Sequence, residues 1–222
     1  MKTDSQLQKD VMAQLNWEPV LNACEIGVAV KHGVVTLSGT VDTYTKKIEA
    51  EKAAKKVSGV RAVAMDIRVG VSPGFKKTDS EIAEAVVNSL RLHTAVIEDR
   101  IKVRVENGVV TLEGDVEWEY QRKAAANAVE HLPGVTDVFN LIVIKPKALA
   151  YDIEKKIQDA FIRNATIDAE AITVDTIGSK VILKGTVRSL AEKEDAEQAV
   201  WPAPGVTSVD NRLVVEEEVS VF

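Results

Sequence analysis

The sequence predicts an α+β protein of three tandem units, each ordered helix, strand, strand, helix, strand, with a three-stranded mixed sheet covered on one face by two helices. A seven-residue glycine motif occurs three times, at residues 33–39, 108–114 and 179–185. A Gly-Val pair follows each copy, 20 residues after the motif's last glycine. The copies are offset by 75 and 71 residues, so the length difference falls in the linkers. Each copy is therefore one folded unit, with boundaries at 1–70, 76–145 and 148–217.

The first helix of each unit is predicted from apolar residues spaced four apart, which form one stripe along a helix. These residues are Leu7, Val11 and Leu15, then Ile82, Val86 and Leu90, then Ile153, Ile157 and Phe161. Thr3 with Gln6, and Thr78 with Glu81, fit capping boxes at the start of the first two helices. The third unit lacks this signal.

A β-hairpin is predicted next, because apolar residues alternate strictly with other residues on both sides of a turn. Asn107-Gly108 is a typical turn sequence, and His32-Gly33 takes the same place in the first unit. The second strand contains a glycine in each unit, at Gly39, Gly114 and Gly185. Glycine inside a strand indicates a bulge or a close approach of a helix.

A second helix is predicted over about residues 43–57, 118–132 and 189–201. Its inward positions are small, at Ala50 and Ala53, Ala125 and Ala128, and Ala196 and Ala199. We expect Gly59, Gly134 and Gly205 to end this helix, since glycine suits the position after a C-terminus. The final strand is predicted to follow, with inward residues Val60, Val63, Ile67 and Val69 and their equivalents in the other units.

Composition and charge exclude several classes of protein. The chain is 45% hydrophobic and has no apolar run long enough to span a membrane. Its net charge is −6, divided as +2, −3 and −5 over residues 1–70, 71–145 and 146–222, so it lacks the basic excess of a general nucleic-acid binder. The single cysteine, Cys24, excludes an intramolecular disulfide. The polar start lacks a secretion signal, so we expect a cytoplasmic protein, or a periplasmic one if a signal peptide has been removed.

The glycine motifs and the element order resemble the BON domain. Pro133-Gly134-Val135 and Pro204-Gly205-Val206 precede the last strand, and Ser58 replaces the proline in the first unit. The resemblance covers nearly all of residues 3–216 in three copies. It implies an attachment module that binds phospholipid surfaces or supports envelope integrity, as in bacterial osmotically induced proteins, with no catalytic residues.

No catalytic, metal or cofactor site is predicted. His32, His93 and His131 occupy three different places in the unit, and no zinc-ligand spacing occurs. No phosphate-binding glycine loop is present either. Eight glycines are assigned to turns and packing: Gly33, Gly39, Gly59, Gly108, Gly114, Gly134, Gly185 and Gly205.

The candidate lipid-binding residues lie on the second helix of the first unit, and they are Lys46, Lys47, Lys52, Lys55 and Lys56. Clustered lysines attract anionic headgroups. The alternative is a solvated face balanced by Glu49 and Glu51. The matching helix of the third unit is acidic, so only the first unit is expected to make this contact.

Two functions remain open. One is a non-enzymatic tandem protein that attaches to an anionic phospholipid surface, with repetition supplying avidity. The other is a protein-interaction or chaperone-like adaptor without lipid contact, which a contiguous exposed apolar patch would favour. Trp17, Trp118 and Trp201 fall at non-equivalent positions and are expected to pack locally. Phe75 is either an exposed anchor or a plug between the first two units, and the tail from Glu216 to Phe222 either extends the last strand or binds a partner.

Overall fold

The computed structural model describes residues 2–21, 26–70, 76–93, 100–146, 153–164 and 167–215. Cys24, Phe75 and the tail 216–222 lie outside these ranges. The chain divides into two compact units, one of Met1–Gly39, Ile48–Ile67 and Leu149–Phe222, the other of Thr40–Lys47 and Arg68–Ala148.

The predicted element order recurs in all three repeats. The first repeat has α1 (Asp4–Trp17), β1 (Ile26–Lys31), β2 (Val34–Val41), α2 (Tyr44–Lys55) and β3 (Ala62–Val69). The second has α3 (Asp79–Leu92), β4 (Ile101–Glu106), β5 (Val109–Val116), α4 (Glu119–Glu130) and β6 (Asp137–Ile144). The third has α5 (Ile153–Arg163), β7 (Ile172–Ile177), β8 (Lys180–Val187), α6 (Leu190–Val200) and β9 (Ser208–Val215).

Each repeat forms its own three-stranded sheet, with the second strand in the centre. The central strand pairs antiparallel with the strand before it, and in the second and third repeats it pairs parallel with the last strand. The predicted fold class, three α+β units with mixed sheets and two helices each, is confirmed.

The hairpin turns follow the predicted sequence signals. His32 and Gly33 have φ of 52° and 75°, and Asn107 and Gly108 have 52° and 78°. Positive φ at both central residues is the type I′ turn, whose twist matches that of the two strands. In both repeats a carboxylate holds the turn: the oxygens of Asp79 accept the backbone N–H groups of Asn107 and Gly108, each at 2.9 Å, and Asp4 binds its turn in the same way.

The core contains the helix stripes and the inward strand residues. All nine predicted stripe residues are buried. Both capping boxes are present, with the backbone N–H of Gln6 donating to Thr3 Oγ1 at 3.2 Å and that of Glu81 donating to Thr78 Oγ1 at 3.3 Å. These contacts satisfy amides that the first turn of a helix leaves free.

The glycine in the central strand is required by the neighbouring strand. Gly114 and Gly185 have φ of 141° and 129°. A Cβ on Gly114 would collide with the carbonyl oxygen of Arg100, and one on Gly185 with that of Ala171. The close approach is therefore backbone to backbone and does not come from the helix. All eight glycines assigned to turns and packing have positive φ.

The end of the second helix differs from the prediction. α2 ends at Lys55, and the N–H of Val57 donates to the carbonyl of Ala54 in a tight turn. Gly59 lies four residues beyond the helix, so its predicted helix-ending role is wrong. Val60 is buried in this turn, and β3 begins only at Ala62. The corresponding glycines of the other repeats, Gly134 and Gly205, lie four and five residues beyond α4 and α6.

Candidate binding surfaces

Every lysine of the proposed lipid-binding helix lies in an ion pair. Three of the pairs are local to this part of the chain: Lys46 Nζ lies 2.9 Å from Asp42 Oδ1, Lys52 Nζ lies 2.8 Å from Glu49 Oε1, and Lys55 Nζ lies 2.8 Å from Glu51 Oε1. The hydrogen bond from Lys46 holds the pKa of Asp42 below its usual value. The solvated-face alternative, with balance by Glu49 and Glu51, thus describes part of the helix.

Lys47 pairs with the second repeat. Its Nζ lies 2.9 Å from Asp137 Oδ2 and 5.8 Å from the centre of the Tyr44 ring. Burial, reinforced by the negative charge of Asp137, raises the pKa of Tyr44 well above its ordinary value. Next to it, Thr45 Oγ1 and His131 Nδ1 are 2.9 Å apart. The start of α2 is therefore used for packing within the chain.

Lys55 pairs with the third repeat. Its Nζ lies 2.6 Å from Glu194 Oε1 and 2.8 Å from Glu51 Oε1. Burial alone would lower the pKa of Lys55, but the hydrogen bonds to Glu194 and Glu51 raise it overall. Lys55 is thus a shielded cation, not one that is open to a ligand.

Lys52 lies near the end of α2, and Lys56 is the first residue beyond it. Lys56 Nζ is 3.0 Å from Glu18 Oε1, and the hydrogen bond from Lys56 lowers the pKa of Glu18. The side chains of Lys52 and Lys56 are 55% and 52% exposed. Trp17, immediately before Glu18, is 80% exposed, so the expectation that it packs locally is wrong.

The other two tryptophans differ from Trp17 in exposure. Trp201 is buried and Trp118 is half-buried, so the expectation of local packing holds for Trp201.

A second surface is apolar and belongs to the second repeat. Phe139, Leu141 and Val143 are 54%, 57% and 56% exposed. They alternate along β6 with the residues that face the helices, so they lie on the open face of the sheet. These three residues form what we call the apolar stripe.

The corresponding residues of the other repeats are mostly small or charged. In the first repeat they are Ala64, Asp66 and Arg68, and in the third they are Asp210, Arg212 and Val214. Asp210 accepts from Lys180 at 2.8 Å and from Arg212 at 2.9 Å. The hydrogen bond from Arg212, which has the larger effect, and the one from Lys180 lower the pKa of Asp210 to about 2.

The apolar stripe was not among the predicted binding residues, although the sequence contains a signal for it. Val138, Ile142 and Ile144 take the inward positions of the last strand, so the alternation places Phe139, Leu141 and Val143 on the outward face. Aligning the three copies at those outward positions would have shown that only the second repeat is apolar throughout.

Neither a metal-ligand cluster nor a membrane-spanning helix stands out in the described part of the chain. Over those ranges, no group of three or more His, Cys, Asp or Glu side chains is placed to hold a metal ion. The helices there are too short and too polar to cross a bilayer.

Comparison with known proteins identifies the repeats. The BON domain model matches residues 3–71, 78–146 and 151–217. Osmotically-inducible protein Y of Escherichia coli (strain K12) is 30% identical over 142 residues, covering 62% of this chain and 70% of that protein. An uncharacterised protein in the gshII 5′ region of Anaplasma centrale is 27% identical over 127 residues, covering 56% of this chain and 84% of that protein.

A solved structure also aligns over most of the chain. The C-terminal domain of CdsD, a structural protein of the type III secretion system of Chlamydia trachomatis, covers 97% of this chain and 100% of its own, at 14% identity and a TM-score of 0.27. The three family matches take in almost all of the described sequence. The chain therefore belongs to the BON domain family.

Proposed function

We propose that this chain is a non-enzymatic binding protein that attaches to anionic phospholipid surfaces through its first repeat. Membership of the BON family and similarity to osmotically-inducible protein Y support a role in osmotic or envelope stress. The observation that carries the lipid contact is the exposure of Trp17 in the same repeat as the half-exposed lysines Lys52 and Lys56, with Lys56 paired to Glu18, the residue after Trp17.

The physical argument is an exchange of partners at the surface. Exposed ion pairs such as Lys52 with Glu49 contribute between 0 and about 1 kcal/mol, because water screens them. A lysine near an anionic membrane gains on the order of 1 kcal/mol, so headgroup phosphates can compete with these carboxylates. Tryptophan favours the interface between headgroups and acyl chains. Of the five candidate lysines, Lys52 and Lys56 are expected to contribute most.

The test is co-sedimentation of the full chain with vesicles of phosphatidylcholine alone or with phosphatidylglycerol added, at low salt. We expect binding to the anionic vesicles and about ten-fold weaker binding by Lys52→Gln/Lys56→Gln, since two headgroup contacts are lost. The matched control is Lys155→Gln/Lys156→Gln, which removes the same charge from exposed positions on α5. It should bind like the parent chain.

Two results would contradict this function. Equal binding to neutral and anionic vesicles would remove the electrostatic contact. Equal loss in both double variants would show that only net charge matters.

A second candidate function is a protein-interaction adaptor. The apolar stripe favours it, because exposed apolar residues grouped on one strand often mark an interaction site. The apolar stripe lies in a different repeat from Lys52 and Lys56, so the two functions are separable by mutation.

A further inference from the structure

We propose that the open face of the sheet formed by β4, β5 and β6 binds an amphipathic helix of a partner protein, whose apolar side packs on Phe139, Leu141 and Val143. The inference deepens the adaptor function by assigning its site and the class of partner. It is independent of the lipid contact made by the first repeat.

The fold does not require the apolar stripe. The first repeat forms the same sheet with Ala64, Asp66 and Arg68 at these positions. Exposed Phe, Leu and Val side chains have unfavourable contact with water, which a partner would remove. The stripe is therefore a feature of this repeat's surface and not of its folding.

One backbone donor on the edge of β6 is already bonded to a side chain. Asn140 Oδ1 accepts the backbone N–H of Ile142 at 3.3 Å, and its Nδ2 donates to the carbonyl of Arg122 at 2.8 Å. An additional strand would need that N–H for its own ladder. Asn211 makes the same bond with Leu213 in the third repeat. An added strand would lose this ladder bond, so a partner of the stripe is expected to bind through side chains on the face of the sheet.

The size of the stripe fits a helix better than a second copy of this chain. From Phe139 to Val143 a strand rises about 13 Å. Residues i, i+4 and i+7 of an α-helix span about 10 Å along one side, which matches three apolar contacts. Three half-exposed side chains offer much less than the roughly 800 Å² per partner of a stable dimer.

The charges beside the stripe are of both signs. In the sheet register, Glu113 lies next to Leu141, and Lys102 lies opposite Glu113. Asp115, next to Val143, is paired with Arg100 at 3.5 Å and with Lys145 at 3.4 Å. Mixed charges do not form the lysine and arginine cluster that attracts an anionic bilayer, whereas the exposed Glu113 would attract a lysine or arginine that flanks the apolar side of a helix.

The experiment uses the full chain and a fluorescein-labelled synthetic peptide of about 18 leucines and lysines, with the leucines on one helical side. We expect saturable binding in the micromolar range by fluorescence anisotropy, with amide NMR shifts in β4 to β6. A peptide of the same composition in scrambled order should bind at least ten-fold more weakly.

The main variant gives β6 the outward residues of the first repeat, as Phe139→Ala/Leu141→Asp/Val143→Arg. It keeps the net charge and should weaken peptide binding at least ten-fold. Val214→Arg, at the equivalent position of β9, is the control and should bind like the parent. If the triple variant unfolds by circular dichroism, Leu141→Gln alone is used and should weaken binding about five-fold.

Several outcomes would overturn the proposal. One is peptide binding that the substitutions do not change. Another is a dimer in sedimentation velocity that the triple variant abolishes, which would make a second copy the occupant. Binding to phosphatidylcholine vesicles that is lost in the triple variant would make a lipid the occupant of the stripe. A partner protein that binds the triple variant normally would leave the adaptor function standing and remove this site.

Discussion

Gly185→Ala is expected to destabilise the third repeat by roughly 4 kcal/mol. The backbone φ of 129° is nearly closed to residues with a side chain, at a cost of about 1–3 kcal/mol. The new methyl group would also collide with the carbonyl oxygen of Ala171, and such overpacking costs about 1–3 kcal/mol more. A unit of this size has only about 5 kcal/mol of stability, so most of it would be lost. Hydrogen exchange by mass spectrometry over residues 172–215 measures the effect.

The control lies in the same repeat. Gly178 has a φ of 61° in the hairpin turn, and a Cβ there would meet no atom within 4 Å. Gly178→Ala should therefore cost only about 1 kcal/mol, the penalty of a left-handed residue. Gly114→Ala should reproduce the large effect in the second repeat, because its Cβ would meet the carbonyl of Arg100. Equal destabilisation by Gly178→Ala and Gly185→Ala would contradict the backbone-contact explanation.

The fold could be predicted because its determinants are local and repeated. The capping boxes at Thr3 and Thr78 and the turn at Asn107-Gly108 each depend on residues a few positions apart. Comparing the three copies also distinguishes the residues that all three repeats share, which the fold requires, from the residues that differ among them. The end of α2 was misplaced because the sequence does not show that the chain leaves the helix in a tight turn before Gly59.

The candidate binding surfaces were harder to predict because they depend on contacts between distant residues. Lys47 pairs with Asp137 and Lys55 with Glu194, 90 and 139 residues away. No spacing rule indicates such pairs, so the five lysines looked alike in sequence. All five lysines lie in ion pairs, and exposure separates them: the side chains of Lys52 and Lys56 remain half-exposed, whereas those of the other three are less than a quarter exposed. Trp17 was likewise assigned to packing, because exposure at a helix end has no sequence signature.

Phe161 and Phe139 differ in burial, so their replacement by alanine is expected to have very different effects on stability. Phe161 on α5 is only 1% exposed and belongs to the buried stripe of the third repeat. Phe161→Ala should destabilise that repeat by about 3–5 kcal/mol, since it removes a large buried side chain and leaves a cavity. Denaturant unfolding of the full chain, with hydrogen exchange to assign the loss to residues 153–215, measures it.

Phe139→Ala removes the same atoms from a side chain that is 54% exposed. It should change the free energy of unfolding by no more than about 0.5 kcal/mol, as surface substitutions usually do. It should nevertheless weaken binding of the leucine-lysine peptide, because Phe139 belongs to the apolar stripe. A loss of stability comparable with that of Phe161→Ala would show that Phe139 contributes to a core. In that case the open face of the second sheet would not be available to a partner.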